Sequence, residues 1–377
     1  MRLKTGLTYW SATTPRPRVY PRLRTNARCD VAVIGAGVTG ALAAHALAEA
    51  GLTVIVLDKR IPADGSTSAS TGLLLYDTDT PLAKLARLHG LKAALRCYAL
   101  GRQAVRDLGR LAALPGIDCG FRRKSCLYAA SDARGCIQLQ KEFRLRRRGG
   151  FPCVWLGRRA LSSRFGFQFP GAILSSGCAE INAQALAEGL LARLVDGRQA
   201  RVFQGTRVTA VRESSREVCL RTGNGHRITA RHVIMATGYE SIGAVTSDQV
   251  RLNVSYVIAS QPQPPEVLWE DECLIWETSR PYRYVRTTAD HRILMGGADE
   301  PFTRYSRSKT RLTAKARELK KGFHGLFPHL SFKTDYAWSG AFGESLDGLP
   351  FIGAKRGAPR VLYALGYGGN GITFGQI

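Results

Sequence analysis

Acidic residues are scarce in this sequence. It has 29 Asp and Glu against 54 Lys and Arg, which gives a formal net charge of +25. Such an excess raises affinity for polyanions such as nucleic acid or an anionic membrane. However, the basic runs do not alternate with aromatic residues as single-strand binders do, and Lys141 to Arg148 contains a single aromatic residue, Phe143. We therefore interpret the charge as the compositional bias of a globular protein, and a nucleic-acid partner is not favoured.

Long apolar runs are also missing, because no stretch reaches the roughly 20 residues that span a bilayer. Residues Met1 to Arg28 are polar and basic and do not resemble a secretory signal. The nine cysteines form no Cys-x-x-Cys pair, so we expect reduced thiols and a cytoplasmic protein. The seven histidines have no ligand spacing with cysteines or acids, and no metal site is predicted.

Glycine, by contrast, is abundant, with 40 among 377 residues. At roughly 150 residues per domain, the length indicates two domains or one large composite domain. The apolar runs Asp30 to Ile34 and Thr53 to Leu57 predict buried strands, and the alanine-rich segment from Val38 to Ala50 predicts a helix between them. A strand, a helix and a second strand in this order indicate a parallel sheet.

A glycine-rich turn connects the first strand to the helix. Gly35 permits the tight turn, Gly37 lets a pyrophosphate approach the backbone, and Gly40 lets helix and strand pack closely. Asp58 ends the second strand, near the spacing expected of the acid that holds a ribose hydroxyl. Its charge disfavours a 2′-phosphate, so the pattern predicts FAD or NAD rather than NADP.

Four stretches carry a more specific resemblance: Cys29 to Leu74, Arg207 to Gly243, Pro281 to Gly297 and Trp338 to Phe374. They are similar, in the same order, to the D-amino-acid oxidase, glycine oxidase and sarcosine oxidase (DAO) family of FAD-dependent oxidoreductases. The resemblance implies an α/β fold, in which a Rossmann-like FAD-binding domain is joined to an α+β substrate domain built on an antiparallel sheet.

The resemblance also implies which residues bind FAD. They lie in the glycine-rich turn, at the end of the second strand, in the loop from Gly65 to Leu73, in a β-meander with its returning strand, and in the closing motif Gly366 to Thr373. The predicted cofactor-binding residues are Gly35, Ala36, Gly37, Val38, Thr39, Gly40, Asp58, Lys59, Ser66, Thr67, Ser68, Thr71, Gly72, Leu73, Val208, Ala236, Thr237, Gly238, Gly368, Gly369, Asn370, Gly371 and Ile372.

The segment Tyr282 to Thr288 resembles the substrate-domain strand that lies over the flavin. Strand alternation places Tyr282, Tyr284 and Arg286 on one face, so these three are the candidate catalytic and pocket residues. The arginine would pair with a substrate carboxylate through two hydrogen bonds. The alternative is an ordinary sheet face with stacked aromatics.

Two departures from the family pattern concern the flavin. Covalent attachment in the family uses Cys or His, but the loop has Ser68, Ala69 and Ser70, and no Cys follows Trp338. We therefore expect non-covalent FAD. Sarcosine oxidases carry a Lys near the flavin that assists reaction with oxygen, and Leu294 is the nearest match here. This favours a dehydrogenase, or an oxidase that uses another cation.

The expected domain division follows the motifs. Residues 1–28 form an extended N-terminal arm, residues 29–95, 170–247 and 336–377 form the FAD-binding domain, and residues 96–169 and 248–335 form the substrate domain. In the family a helix follows the closing loop, whereas this sequence ends at Ile377. That end suggests a truncated chain or a flavin that is held less firmly.

The predicted function is oxidation of the C–N bond of an amine or amino acid, by hydride transfer from the substrate to flavin N5. The electron acceptor, either O2 or a carrier, and the oligomeric state stay open. One alternative keeps the fold and acts on a modified tRNA base. Others are a truncated, non-catalytic FAD-binding remnant and an NAD-dependent dehydrogenase.

Overall fold

The computed structural model describes residues 1–15, 17–241, 250–355, 357–365 and 368–377. This description leaves out parts of the predicted segments: residues 242–247, among them the motif residue Gly243, and the motif residues Gly366 and Tyr367. The helices are α1 (Tyr9–Thr13), α2 (Val38–Glu49), α3 (Ser66–Ala69), α4 (Leu82–His89), α5 (Leu91–Ala112), α6 (Ala133–Arg148), α7 (Arg158–Phe165), α8 (Ala183–Asp196), α9 (Lys309–Leu326) and α10 (Gly371–Gln376).

The strands fall into two sheets. They are β1 (Lys4–Gly6), β2 (Ala27–Ile34), β3 (Val54–Leu57), β4 (Leu73–Leu74), β5 (Arg122–Ala129), β6 (Cys153–Gly157), β7 (Gly171–Glu180), β8 (Ala200–Phe203), β9 (Val208–Glu213), β10 (Val218–Thr222), β11 (Arg227–Met235), β12 (Val250–Ser260), β13 (Leu274–Glu277), β14 (Tyr284–Thr287), β15 (Ile293–Pro301), β16 (Thr334–Ser345), β17 (Phe351–Lys355) and β18 (Ala358–Leu365).

The smaller sheet has the order β17-β18-β11-β2-β3-β8, and the β9–β10 hairpin extends it from β11. Strands β18, β11, β2, β3 and β8 run parallel. All four residues of β3 are buried, as expected of a parallel strand covered on both faces. Helices α2 and α8 pack together in the core beside this sheet. The observed β2–α2–β3 unit confirms the predicted parallel sheet.

The larger sheet has the order β1-β16-β12-β15-β14-β13-β5-β7-β4, and β6 also pairs with β7. Its described pairings are antiparallel except for the parallel pair β13 and β5. Helix α9 packs against β12 and β15 through buried Leu319 and Phe323. The combination of a parallel-rich sheet and a mostly antiparallel one confirms the predicted fold class.

Strand pairing cuts across the predicted domain segments. Strands β7 and β16, from segments predicted to belong to the FAD-binding domain, pair within the larger sheet. Pairing between distant strands depends on tertiary contacts that local sequence patterns do not encode. The domain boundaries themselves stay a prediction.

The first 28 residues differ from the extended arm that the sequence predicts. Strand β1 pairs with β16, and helix α1 buries Tyr9 and Trp10 against Trp338 and Leu294. The indole Nε1 of Trp10 donates a hydrogen bond of 2.6 Å to the carbonyl of Ser70. Apolar burial and strand pairing therefore hold this segment in the body of the protein.

Candidate active site

A cavity of about 570 Å³ is lined by residues from both sheets. Most of the residues that the sequence predicts to bind FAD lie in its wall. These are Gly35, Gly37, Val38, Thr39, Asp58, Lys59, Ser66, Thr67, Thr71, Leu73, Val208, Ala236, Thr237, Gly238, Gly368, Gly369, Asn370, Gly371 and Ile372. The fold thus collects segments from the whole length of the chain around one space.

The glycine-rich turn lies between β2 and α2 and packs tightly against the end of β11. Gly35 has φ +108°, and a Cβ atom there would lie 2.3 Å from the carbonyl oxygen of Ala236. A Cβ atom at Gly40 would lie 1.8 Å from the carbonyl oxygen of Gly35. The hydroxyl of Thr67 accepts a 3.1 Å hydrogen bond from the amide of Val38, so the loop at α3 is fixed to the first turn of α2.

Asp58 directly follows β3, beside this turn. Its two carboxylate oxygens accept hydrogen bonds of 2.8 Å from the amides of Ala36 and Arg60. Burial raises the pKa of Asp58, while those two amides favour the ionised form. Ala36, a predicted cofactor residue outside the cavity wall, therefore acts here by orienting the acid.

A cluster around Glu240 holds the segment that follows Asp58. The carboxylate accepts hydrogen bonds of 2.9 Å from Arg60 and pairs with the Lys59 ammonium at 2.9 Å. Burial would raise the pKa of Glu240, but the hydrogen bonds from Arg60 and Lys59 outweigh it and lower the pKa to about 2. The sequence prediction included Lys59 but missed Glu240, because only the fold brings the ends of β3 and β11 together.

Three further predicted residues lie just outside the cavity and support its wall. Gly40 allows the close packing at the turn described above. Ser68 accepts a 2.8 Å hydrogen bond from Lys4 and donates one to the carbonyl of Gly65. Gly72 has φ +71°, and a Cβ atom there would lie 1.8 Å from the carbonyl oxygen of Ile181.

The closing glycine-rich segment is attached to the loop that follows β4. The side-chain amide of Asn370 donates a 2.6 Å hydrogen bond to the carbonyl of Asp77. The amide of Gly369 donates one of 2.6 Å to the carboxylate of Asp79. The hydroxyl of Thr373 donates to the carbonyl of Leu75 at 3.2 Å. Three contacts thus position this end of the cavity.

The larger sheet supplies an aromatic wall opposite that segment. Tyr282 and Tyr284 have ring centroids 6.0 Å apart, and Trp276 meets Tyr282 edge to face at 5.9 Å. The hydroxyl of Tyr282 donates a 3.1 Å hydrogen bond to Asp79, which also binds Gly369. The structure therefore brings the two predicted tyrosines to the cavity and connects one of them to the closing segment.

Comparison with known proteins places this cavity in a family. The DAO family, described as FAD dependent oxidoreductase, matches residues 30–377. The chain belongs to this family. Gamma-glutamylputrescine oxidoreductase of Escherichia coli (strain K12) is 28% identical over 97% of this chain and 85% of its own length. Glycine oxidase of Geobacillus kaustophilus (strain HTA426) is 26% identical over 93% of this chain and 90% of its own length.

Solved structures share the fold. The crystal structure of glycine oxidase from Geobacillus kaustophilus superposes with a TM-score of 0.77 at 23% identity, covering 93% of this chain and 92% of that one. L-proline dehydrogenase from P. horikoshii gives a TM-score of 0.76 at 16% identity, covering 94% and 91% of the two chains.

The described residues contain no helix long and apolar enough to cross a membrane.

The residues present fit the FAD that defines the DAO family. The cavity runs from Asp58 and Val208 past Gly37 to Gly369, and at Gly35 and Gly40 a side chain would collide with the backbone of the turn. Asp58 suits a ribose hydroxyl, and the α2 N-terminus suits a pyrophosphate. The segment from Gly368 to Ile372 offers backbone amides to a flavin, although one of them already binds Asp79.

Arg286, the third candidate pocket residue, does not line the cavity. Its guanidinium pairs with the fully buried carboxylate of Glu180 at 3.2 Å and donates hydrogen bonds to the carbonyls of Thr71 and Gly72. This differs from the predicted pairing with a substrate carboxylate. The physical reason is that the folded chain brings Glu180, at the end of β7, into contact with Arg286, although the two residues are far apart in sequence and β13 and β5 lie between their strands.

Two carboxyl groups in the aromatic wall were missed by the sequence prediction. Asp79 follows β4, and Asp299 lies near the end of β15. Burial raises the pKa of Asp299 to about 7, although Ser255 donates a hydrogen bond that favours ionisation. The apolar strand Ile293–Pro301 has two adjacent acids near its end, Asp299 and Glu300, and an acid at the end of an apolar run is the signal that would have drawn attention to Asp299.

Other side chains contribute little to the cavity. All nine cysteines are free, and among the described residues no cysteine or histidine lines it. Leu294, the counterpart of the family lysine, is fully buried beside Trp338 and Ala69 and is not part of the wall. In the part of the chain that the structure describes, no three His, Cys, Asp or Glu side chains are grouped to hold a metal.

Proposed function

We propose that the protein oxidises the C–N bond of an amine or amino acid with non-covalently bound FAD, as an oxidase or a dehydrogenase. The observation that carries the proposal is the continuity of the cavity. The wall that fits FAD continues into the wall formed by Trp276, Tyr282 and Tyr284 of the larger sheet. A substrate held by that aromatic wall would lie beside the closing segment.

When bound, FAD would supply the acceptor for the hydride removed from the carbon beside the substrate nitrogen, and the resulting imine would be hydrolysed by water. The chain supplies binding and orientation. Tyr282 is fixed by Asp79, and Trp276 stacks on Tyr128 with ring centroids 3.7 Å apart. Rigid aromatic walls exclude water and hold the carbon to be oxidised in one orientation.

Non-covalent binding is supported by the chemistry of the wall. The family attaches flavin through Cys or His, and neither residue type lines the cavity within the described ranges. Ser68 is engaged by Lys4 and Gly65. The absorption spectrum after acid precipitation tests this point, since free FAD moves to the supernatant and attached FAD stays in the pellet.

The reaction is tested by anaerobic titration of the FAD-loaded protein with a panel of primary amines, secondary amines and amino acids. We expect at least one class to bleach the visible absorbance of the flavin. Failure of the whole panel with a protein that retains its FAD would refute the proposal.

A further inference from the structure

The charged side chains of the cavity wall differ between its two ends: both signs occur at one end, which includes Asp58 and Glu240, and only acids occur at the other within the part of the chain that the structure describes. The basic ones, Lys59, Arg60 and Arg207, lie at the end near β3 and β9, where the amide of Thr206 donates to the carbonyl of Asp58 at 2.7 Å. The aromatic end contains Asp79 and Asp299, and no basic side chain among the described residues lines it. The charged side chains that line this end are therefore acidic.

The arginines nearest the aromatic wall are already engaged. Arg286 is paired with Glu180, and Arg283 is paired with the buried carboxylate of Glu277 at 2.5 Å. Arg280 is exposed, stacks on Tyr282 with its guanidinium carbon 5.0 Å from the ring centroid, and donates a 3.2 Å hydrogen bond to the carbonyl of Asp79. None of these three projects a free guanidinium into the wall of the cavity.

The carboxyl group of Asp299 has the features of one member of an ion pair whose cation is missing. Its Oδ1 atom is buried and has no hydrogen-bond partner among the described residues. Ser255, whose hydroxyl lies 3.5 Å from the Tyr284 hydroxyl, is the neighbouring hydrogen-bonding group. A buried carboxylate oxygen without a partner costs free energy that a bound cation would recover. The adjacent faces of Tyr284 and Tyr282 are also suited to a cation.

The reacting nitrogen cannot remain that cation during the oxidation. Formation of an imine needs the nitrogen lone pair, so the reacting amine must be deprotonated, and a carboxylate in contact with it would oppose this. A nitrogen that stays protonated throughout the reaction has no such conflict.

We infer that, within the proposed amine oxidation, the substrate is a diamine-type compound: its second, protonated nitrogen binds Asp299 within the wall of Tyr284 and Tyr282, and no substrate carboxylate is bound there. This inference rests on the proposed function. It assigns Asp299 as a specificity-determining residue, because its carboxylate touches the substrate away from the bond that is oxidised.

Matched ligands test the inference on the unaltered, FAD-loaded protein. The series consists of α,ω-diaminoalkanes of graded length, the n-alkylamines of equal length and the ω-aminoalkanoates of equal length. The rate of anaerobic flavin reduction is measured against concentration. We expect a diamine to reach half-maximal reduction at a concentration at least ~10-fold lower than the alkylamine of equal length, which is the equivalent of about 1.4 kcal/mol. The aminoalkanoate should need the highest concentration of the three.

The outcomes separate the two proposals. If no compound in this series or in the amine and amino-acid panel reduces the flavin, the proposed function fails. If α-amino acids or aminoalkanoates reduce it better than diamines do, the oxidation stands and the diamine inference is overturned, with Arg280 as the group to examine.

Amino-acid substitutions test whether the protonated nitrogen of the substrate binds at Asp299. Asp299→Asn keeps the shape and removes the charge, and should erase the advantage of the diamine over the alkylamine. Glu266→Gln, which removes an exposed carboxylate outside the cavity wall, is the matched control and should keep the advantage. Equal loss in both variants, or none in Asp299→Asn, would contradict the assignment. If Asp299→Asn does not retain FAD, the ligand series on the unaltered protein decides.

Discussion

At the scale of single residues, the two acids of the aromatic wall have different surroundings. Asp79 accepts hydrogen bonds from Tyr282 and from the amide of Gly369, so both its oxygens are engaged. Asp299 has one buried oxygen without a partner among the described residues. Burial therefore dominates the pKa of Asp299, whereas Asp79 connects the two walls of the cavity.

The raised pKa of Asp299 makes protein stability depend on pH. Because the pKa is about 7 in the folded protein against an ordinary value of 3.8, the unfolded chain loses this proton first as pH rises. The free energy of unfolding should then fall between about pH 4 and pH 7, by up to about 4 kcal/mol at 1.36 kcal/mol per pKa unit. The groups that surround this carboxyl are Ser255, Asp79, Glu344 and Lys315.

Thermal unfolding of Asp299→Asn and the unaltered protein, each saturated with FAD, across mildly acidic to mildly basic pH checks this prediction. The advantage of the variant should grow with pH up to the folded pKa of about 7, because the variant lacks the group that ionises. Parallel profiles for the two proteins would show that Asp299 keeps an ordinary pKa.

At the scale of elements, the N-terminal segment supports the loop from Asp64 to Ser70. The ammonium of Lys4 in β1 contacts Asp64 at 2.6 Å and Ser68 at 2.8 Å, and Trp10 of α1 binds the carbonyl of Ser70. These contacts come from a segment that the glycine-rich motif does not include. They connect the larger sheet to the loop that fits the FAD pyrophosphate.

Loss of the Lys4 contacts should weaken FAD binding. In Lys4→Met we expect the dissociation constant of FAD to rise ~10-fold, because two hydrogen bonds from a charged group to the loop are lost. Quenching of FAD fluorescence on titration of the apoprotein measures this constant. Lys92→Met, at an exposed lysine of α5 outside the cavity, is the control for loss of one positive charge. Equal constants for the two variants would contradict the role of Lys4.

Helix α6 shows why a basic run is not always a solvent-exposed face. Within Lys141 to Arg148, the Arg146 side chain is fully buried and pairs with Asp77 at 2.9 Å and Glu142 at 2.8 Å. Glu142 in turn accepts hydrogen bonds from the first amides of α4, at Leu82 and Ala83. This network fixes the loop whose Asp77 carbonyl binds Asn370.

Removal of Arg146 should therefore destabilise the protein strongly. Arg146→Met leaves two buried carboxylates without their cation, and such a loss costs about 3–5 kcal/mol. The exposed neighbour Arg147 provides the control, since Arg147→Met should change the free energy of unfolding by no more than about 0.5 kcal/mol. Urea unfolding of both variants measures the difference, and similar midpoints would refute the prediction.

At the scale of the whole molecule, the cavity takes its wall from both sheets, so a cofactor bound in it contacts each of them. Ligand binding to the folded state alone stabilises by mass action, by about 2.7 kcal/mol at a free concentration about 100 times the dissociation constant. Strands β1, β16 and β12 pair with one another within the larger sheet through contacts of the chain itself.

Removal of FAD should consequently lower the unfolding temperature without abolishing the fold. We expect the apoprotein to keep its far-ultraviolet circular dichroism, and its melting temperature to rise with the logarithm of the concentration of added FAD. AMP, which matches only the adenine, the ribose and one phosphate of FAD, should give a smaller shift. A melting temperature that does not respond to FAD would contradict the cofactor assignment.

The sequence determined those features of the protein that depend on residues close together in the chain. Gly35, Gly37, Gly40 and Asp58 lie within one β–α–β unit, so spacing alone predicts their arrangement, and the DAO resemblance supplied the distant motifs. Strand alternation predicted Tyr282, Tyr284 and Arg286 on one face; both tyrosines line the cavity, although Tyr282 precedes β14, and Arg286 does not line it. Local predictions of this kind are possible because backbone conformation and periodicity depend mainly on neighbouring residues.

Only the tertiary structure decided which charges face the cavity. Arg286 meets Glu180 because β14 and β7 join one sheet through β13 and β5, and Asp79 meets Tyr282 across 203 positions of sequence. Whether an arginine is free or paired, and whether an acid is solvated or buried, depends on groups far away in the chain. The sequence therefore determined that the chain has a fold typical of FAD-binding proteins. Long-range contacts decided which charged side chains line the end of the cavity where we propose that the substrate binds.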